Sequence, residues 1–218
     1  LTRRARVFSD RIQRDDLDPC FKMLTRIARI QTQLVHTWDV LATMTPADYS
    51  NFRQFLGTSS GFQSAQFRAL EYRLGLKDAN FLKFQPEGSD ERAMLETALR
   101  EPSLYDDVIA ELAKAGFAIP EGVYKRAPGA PYEPSADVEA AWLAVYRDTQ
   151  EYWPLYQLAE KLLDLDDALI SWRHKHVLTV ERIIGRKRGT GGTEGVGYLQ
   201  QTLSRRAFPE IWSLRTSL

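Results

Sequence analysis

One apolar stripe in the second half of the chain restricts the fold more than any other feature. The apolar positions step alternately by three and four residues, at Leu155, Leu158, Leu162, Leu165, Leu169 and Trp172. The same steps continue to His176, Thr179 and Ile183. Because an α-helix turns once in about 3.6 residues, this spacing places all these side chains on one face of a single long helix. A strand is excluded, since its side chains alternate with a period of two.

Helix boundaries can also be read in the first quarter of the chain. Apolar side chains at three- and four-residue spacing predict a helix over residues 19–41. A shorter helix is predicted to begin at the N-cap Thr45, with Pro46 in its first position and Asp48 near its positive end. It should end near Leu56, where Gly57 follows.

Helical patterns recur between these two regions, and no strand pattern interrupts them. Further helices are predicted over residues 62–74, 89–100 and 103–115, whereas residues 117–134 are rich in proline and glycine and are predicted to form a loop. No segment alternates polar and apolar residues for long enough to indicate a strand. The fold class is therefore predicted to be all-α, with residues 1–218 forming a single domain.

Charge and composition limit the partners of the chain. Lysine and arginine together number 29, as do aspartate and glutamate, and this zero net charge argues against a nucleic-acid partner. No apolar run approaches the roughly 20 residues that a membrane-spanning helix needs, so no membrane partner is expected. A single cysteine excludes a disulfide within the chain, so we expect a cytoplasmic protein in which Cys20 is buried.

The three histidines differ in their helical phase. His176 lies on the apolar stripe, whereas His174 and His36 are turned towards the polar sides of their helices. A histidine on an apolar face either bonds to nearby core carbonyls or binds a metal. A haem iron needs one such imidazole on its proximal side, whereas a zinc site of cysteines and histidines would need nearly all those in the chain. The spacing alone leaves the core role and the ligand role open.

Two further features indicate a ligand without defining it. A glycine-dense loop with basic residues runs from Gly185 to Gly197, but it has neither the Walker spacing nor the dinucleotide spacing. It is either a flexible linker or a loop whose backbone approaches a ligand closely, with Thr190 and Thr193 offering hydroxyl groups. Tyr49 and Arg53 are four residues apart on one helix face and suit a carboxylate, although a surface arginine beside a packing tyrosine would give the same pattern.

Several long motifs in this order resemble the bacterial tryptophan 2,3-dioxygenase family. The first block is Thr45-Pro-Ala-Asp-Tyr-Ser-Asn-Phe-Arg53, followed by Ser59-Ser-Gly-Phe-Gln-Ser64. The second block is Trp172-Arg-His-Lys-His176, then Thr179-Val-Glu-Arg-Ile-Ile-Gly185 and Gly189-Thr-Gly-Gly-Thr-Glu-Gly195. The similarity extends from about Asp15 to the C-terminus. It implies a helical bundle of the tryptophan and indoleamine dioxygenase type.

The resemblance also implies an activity, a cofactor and partners. Ferrous haem b and O₂ would open the indole ring of L-tryptophan to give N-formyl-L-kynurenine, the first step of tryptophan degradation by the kynurenine pathway. Both oxygen atoms would enter the product. A homotetramer is implied as well, with N-terminal segments that help to complete neighbouring sites.

Site residues follow from the resemblance position by position. His176 would be the axial ligand of the haem iron. Arg53 would bind the substrate carboxylate with Tyr49 nearby, and Thr190 would contact the amino-acid head group. The haem pocket would include Ser60 and Gly61 on the substrate side and Trp38 near the propionates. No catalytic residue is assigned within this chain.

Two departures from the family pattern leave alternatives open. The family's distal histidine belongs to a segment that precedes Leu1, so we expect this chain to lack that part of the pocket. Thr193 and Glu194 stand where the family has two serines. The alternatives are a related haem oxygenase that acts on a modified tryptophan or another aromatic amino acid, and a haem-binding helical protein without catalytic activity.

Overall fold

The computed structural model describes residues 17–187, 189 and 195–218, and every regular element in these residues is helical. The α-helices are α1 (Leu17–Leu41), α2 (Pro46–Phe52), α3 (Ala65–Leu74), α4 (Asp90–Arg100), α5 (Leu104–Lys114), α6 (Glu121–Tyr124), α7 (Ala136–Arg147), α8 (Trp153–Ile183), α9 (Val196–Gln201) and α10 (Pro209–Ser213). Short 3₁₀ helices are Arg53–Leu56, Gly61–Gln63, Ala79–Phe84, Thr202–Ser204 and Leu214–Thr216. The prediction of an all-α fold is confirmed.

Helix α8 is the long helix that the apolar stripe predicts. It contains 31 residues and begins with Pro154 in its first turn, where a missing backbone N–H costs nothing. The stripe residues from Leu155 to Leu169 are buried in the main core, whereas Trp172 and His176 are only half-buried. The C-terminal half of α8 therefore leaves the packed core and reaches the wall of a cavity.

Helix α1 packs along α8 and forms the second long wall of the structure. Leu24 and Ile27 enter the core, and Cys20 is fully buried as expected. The side-chain amide of Gln31 donates a 3.1 Å hydrogen bond to the carbonyl oxygen of Leu165. Near the C-terminal end of α1, the carboxylate of Asp39 pairs with the ammonium group of Lys175 on α8.

The helix start predicted at Thr45 is confirmed, with Thr45 as the N-cap, Pro46 in the first position and Asp48 in the first turn. The hydroxyl of Thr45 accepts from the backbone N–H of Asp48, whose carboxylate accepts from the N–H of Thr45, so the two residues form a capping box. These hydrogen bonds lower the pKa of Asp48 below its ordinary value. Helix α2 ends at Phe52, earlier than expected, because the chain tightens into the 3₁₀ helix Arg53–Leu56 before Gly57.

The segment 117–134 differs from the loop that its proline and glycine content predicts. It contains the one-turn helix α6, which follows Pro120, and Glu121 at the start of this helix pairs with Lys125 just after its end. Pro120 is the N-cap residue of α6, with a φ of −59° and an extended ψ of 139°, so a proline here directly precedes a turn of helix.

Buried carboxylates fix the C-terminal segment against the bundle. Asp166 on α8 accepts hydrogen bonds from the backbone N–H of Ala207 and from the indole N–H of Trp212, at 3.0 and 2.9 Å. Glu210 on α10 accepts from the hydroxyl of Tyr105 at 2.7 Å and also from the hydroxyl of Tyr132. These contacts hold the chain that follows α9 in place beside α8.

None of the helices in the described part of the chain is both long enough and apolar enough to span a membrane.

Candidate haem and substrate site

A cavity of about 930 Å³ lies between α1, α3, α8 and α9. Its volume is within the range of about 300–1,000 Å³ that is typical of small-molecule and cofactor sites. Large apolar and aromatic side chains from all four helices line it, among them Ile30, Leu34, Trp38, Phe67, Leu70, Trp172, Val180 and Leu199. His176 is on the same wall as Trp172, one turn further along α8.

Burial determines the charge of the His176 imidazole. Desolvation lowers the pKa of His176 from 6.5 to about 4. The imidazole is therefore neutral at physiological pH, which is the state that binds a metal. The other two histidines, His36 and His174, are exposed, in agreement with their helical phase.

Trp38 lies directly against this imidazole. The ring centroids of Trp38 and His176 are 4.6 Å apart and their planes differ by 18°, so the two rings are stacked. The indole Nε1 of Trp38 is buried and has no hydrogen-bond partner among the described residues. A buried donor without a partner is costly, and it suits an acceptor group that enters the cavity with a ligand.

The predicted pair Tyr49 and Arg53 is brought together by one helical turn. The backbone N–H of Arg53 donates to the carbonyl oxygen of Tyr49, and the Arg53 guanidinium carbon is 5.8 Å from the centroid of the Tyr49 ring. Tyr49 lines the cavity, whereas Arg53 is half-buried beside it and is not part of the described cavity wall.

Backbone near Ser60 contributes a third side of the cavity. Ser59, Ser60 and Gly61 all line it. The hydroxyl of Ser60 accepts from the N–H of Phe62 at 3.3 Å, so it caps the 3₁₀ helix Gly61–Gln63. The predicted neighbourhood of Ser60, Gly61, Trp38 and His176 is thus formed by residues from three separate elements.

The glycine-rich loop meets the cavity at both of its described ends. Gly189 and Gly195 line the cavity. The predicted contacts of Thr190, and the Thr193 and Glu194 positions, lie outside the described residues. Gly195 has a φ of +61°, and a Cβ atom added to it would lie 2.8 Å from the carbonyl oxygen of Lys187. This close approach requires a glycine at that position.

A buried charged cluster on the cavity wall was missed by the sequence reasoning. Glu71 lies between Arg68 and Arg173, with distances of 2.5 and 2.7 Å from its oxygens to the two guanidinium groups. The Arg68 guanidinium carbon is also 3.8 Å from the centroid of the Phe81 ring. Arg173 immediately follows a stripe position, Trp172, and that is the one signal in the sequence that could have identified it.

Comparison with known proteins assigns the chain to a family. The family model described as tryptophan 2,3-dioxygenase matches residues 2–218. The chain belongs to the tryptophan 2,3-dioxygenase family. A tryptophan 2,3-dioxygenase of Caulobacter vibrioides is 64% identical over 203 residues, which cover 93% of this chain and 77% of that protein. A tryptophan 2,3-dioxygenase of Bacillus thuringiensis subsp. konkukian is 53% identical over 207 residues, covering 95% and 74%.

A third relative supports the same assignment. The tryptophan 2,3-dioxygenase of Polaromonas sp. is 55% identical over 204 residues, which cover 94% of this chain and 69% of that protein. The resemblance inferred from the motifs is confirmed, as is the class of the protein, an oxidoreductase of the tryptophan dioxygenase family.

Proposed function

We propose that this protein uses haem and O₂ to cleave the indole ring of L-tryptophan, giving N-formyl-L-kynurenine. The observation that carries the proposal is the neutral imidazole of His176 on the wall of a mainly apolar cavity of about 930 Å³. This donor set fits haem, because a single neutral imidazole satisfies its proximal side. Within the described residues, no group of three or more histidine, cysteine, aspartate or glutamate side chains is arranged to hold a metal ion.

The residues around His176 also fit the remainder of a haem group. Apolar and aromatic side chains give the macrocycle a dry environment, and the buried N–H of Trp38, without a partner in the described chain, suits a propionate oxygen. When bound, the haem supplies the iron at which O₂ is activated. His176 would hold the iron, and Ser60 and Gly61, which line the same cavity and have little side-chain bulk, would leave room there for the substrate.

Tyr49, Arg53 and Thr190 are proposed to bind the amino-acid end of the substrate. The Arg53 guanidinium would receive the carboxylate in a two-pronged, charge-assisted interaction. Tyr49 lines the cavity and its ring lies beside the Arg53 guanidinium, so the pair would hold the amino-acid end of the substrate at this side of the cavity. Fixing one end of the substrate in this way places the indole C2–C3 bond where the reaction occurs and lowers the entropic part of the barrier.

Exclusion of water is the third contribution of this chain. The cavity is lined by indole, phenyl and aliphatic groups, and the ends of the glycine-rich loop at Gly189 and Gly195 lie at its edge. Because Gly189 and Gly195 carry no side chain, the backbone at these two positions can lie close to a substrate.

A homotetramer in the cytoplasm completes the proposal. Three large apolar side chains are strongly exposed on the elements around the cavity, with Val40 70%, Phe55 80% and Leu178 64% accessible. A subunit interface over these elements would cover all three side chains. The single cysteine, Cys20, is buried and suits a reducing compartment. Light scattering that gave a monomer for the haem-loaded protein would contradict the tetramer.

The function is tested with the haem-loaded protein, L-tryptophan and ¹⁸O₂. We expect N-formylkynurenine that carries two labelled oxygen atoms, and a product with one labelled atom would identify a monooxygenase reaction instead. The variant His176→Ala should lose the ferrous haem spectrum and the activity together, whereas His174→Ala should keep both, because His174 is exposed on the same helix. A normal spectrum with full activity in His176→Ala would contradict the proposed ligand.

A further inference from the structure

Two indole rings lie against the imidazole of His176. Trp38 covers one face of the imidazole, with ring centroids 4.6 Å apart and ring planes inclined by 18°. The ring of Trp172 lies on a second side of the imidazole, with centroids 5.2 Å apart and ring planes inclined by 56°. It also packs edge-on against Trp38, at a centroid distance of 5.2 Å and an interplanar angle of 65°. The imidazole plane therefore cannot rotate freely about the Cβ–Cγ bond, because rotation would displace an indole ring.

The backbone segments that carry these rings are tied together on both sides of the stack. Asp39, next to Trp38, pairs with Lys175, next to His176, so α1 and α8 are joined beside the stacked rings. On the other side, the ring of Phe67 from α3 stacks on Trp172, with centroids 4.9 Å apart. The Asp39–Lys175 pair joins the two helices that carry the stacked rings, so it supports the short distance between Trp38 and His176 without involving the imidazole, whereas Phe67 supports Trp172.

We infer that Trp38 is a positioning residue, which fixes the plane of the His176 imidazole before the iron is bound. The inference rests on the proposed role of His176 as the haem ligand. A ligand ring that is already oriented loses less conformational freedom on binding, and its nitrogen lone pair meets the iron along one direction. Groups that orient a metal ligand commonly contribute about 10- to 100-fold to metal affinity.

Trp38 has two separable properties, its aromatic face and its N–H group. The stack on His176 depends on the face, whereas the buried N–H without a partner among the described residues points to a ligand acceptor. Trp38→Phe keeps an aromatic face and removes the N–H, whereas Trp38→Leu removes both. Phe67→Leu is the matched control, since Phe67 lines the same cavity and stacks on Trp172 rather than on His176.

The test measures the Kd for haem and the Fe–His stretching band of the ferrous protein by resonance Raman spectroscopy. We expect Trp38→Leu to raise the Kd about 10-fold or more and to shift or broaden the band. Trp38→Phe should keep the band position, and Phe67→Leu should keep it as well. An unchanged Kd and band in Trp38→Leu would overturn the inference, as would an equal shift in Phe67→Leu.

Folding and the ligand role of His176 are controlled separately. If Trp38→Leu does not fold, Trp38→Met replaces it, because methionine fills more of the same space without an aromatic face. Trp38→Met should also raise the haem Kd and shift or broaden the Fe–His band, and an unchanged Kd and band would overturn the inference. His176→Ala provides the reference, because its Fe–His band should vanish. A band that persists in His176→Ala overturns the proposed ligand, whereas a band lost there but unaltered in Trp38→Leu overturns only the positioning role.

Discussion

Nη2 of Arg173 lies 2.7 Å from Oε1 of Glu71, and both side chains are almost completely buried. Arg68 contacts the other oxygen of this carboxylate, so the single charge of Glu71 pairs with two guanidinium groups. Arg173 also donates to the carbonyl oxygens of Thr202 and Arg205, at 3.2 and 3.1 Å. The cluster joins α3, α8 and the segment after α9, which are three walls of the cavity.

Removal of the Glu71 charge should therefore destabilise the fold strongly. Glu71→Gln keeps the shape of the side chain but removes the one charge that Arg68 and Arg173 both contact. Breaking a buried pair in this way costs about 3–5 kcal/mol. Urea unfolding of the haem-free protein measures the loss. Glu96→Gln is the control, because Glu96 pairs with Arg92 near the surface of α4, where a pair contributes under about 1 kcal/mol. Similar losses in both variants would contradict a special role for the buried cluster.

Helix positions could be predicted from the sequence because they depend on local chemistry. The stripe in α8 and the cap at Thr45 each depend on residues a few positions apart, and both are present in the structure. The boundary at Phe52 and the helix α6 were not predicted, because a 3₁₀ turn and a one-turn helix depend on small differences in backbone energy. Such differences leave no periodic pattern.

Within the site, individual residues could be predicted from the sequence more readily than the contacts between residues that are distant along the chain. Helical phase distinguished His176 from His174, and a spacing of four placed Tyr49 next to Arg53. The stack of Trp38 on His176 and the contact of Glu71 with Arg173 join positions more than 100 residues apart. Those contacts follow from how α1, α3 and α8 pack, which no local pattern specifies.

Substitution of Gly195 should impair substrate binding more than folding. At a φ of +61°, a Cβ atom at this position would lie 2.8 Å from the carbonyl oxygen of Lys187. Gly195→Ala must therefore move the end of the loop that carries Thr190, at a backbone cost of about 1–3 kcal/mol. We expect a higher KM for L-tryptophan with haem content unchanged. Gly122→Ala is the control, because Gly122 lies in α6 with no atom within 4 Å of an added Cβ. A KM equal to that of the unmodified protein would show that the loop tolerates the shift.

Arg53→Ala should weaken binding of L-tryptophan and leave haem binding intact. Hydrogen bonds to a charged group contribute about 1.5–3 kcal/mol, which corresponds to a KM raised about 10- to 150-fold. The preference for L-tryptophan over tryptamine should decrease as well. Tryptamine has no carboxylate, so loss of the Arg53 guanidinium should not weaken its binding. Steady-state kinetics with both substrates measure this, and Arg100→Ala, at the exposed end of α4, is the control. If the KM and the preference are both unchanged, Arg53 does not bind the carboxylate.

The pKa of His176 predicts how the stability of the haem-free protein depends on pH. Burial lowers this pKa to about 4 in the folded state, whereas an unfolded chain has a histidine pKa of about 6.5. Between these values the unfolded state binds the additional proton, so the free energy of unfolding decreases as the pH falls from about 6.5 to 4. The full loss from this one group is about 3 kcal/mol. His176→Gln does not titrate and should lose less stability over the same range. His174→Gln should follow the unmodified protein, since His174 is exposed, and identical pH curves for all three proteins would mean that the His176 imidazole is solvated.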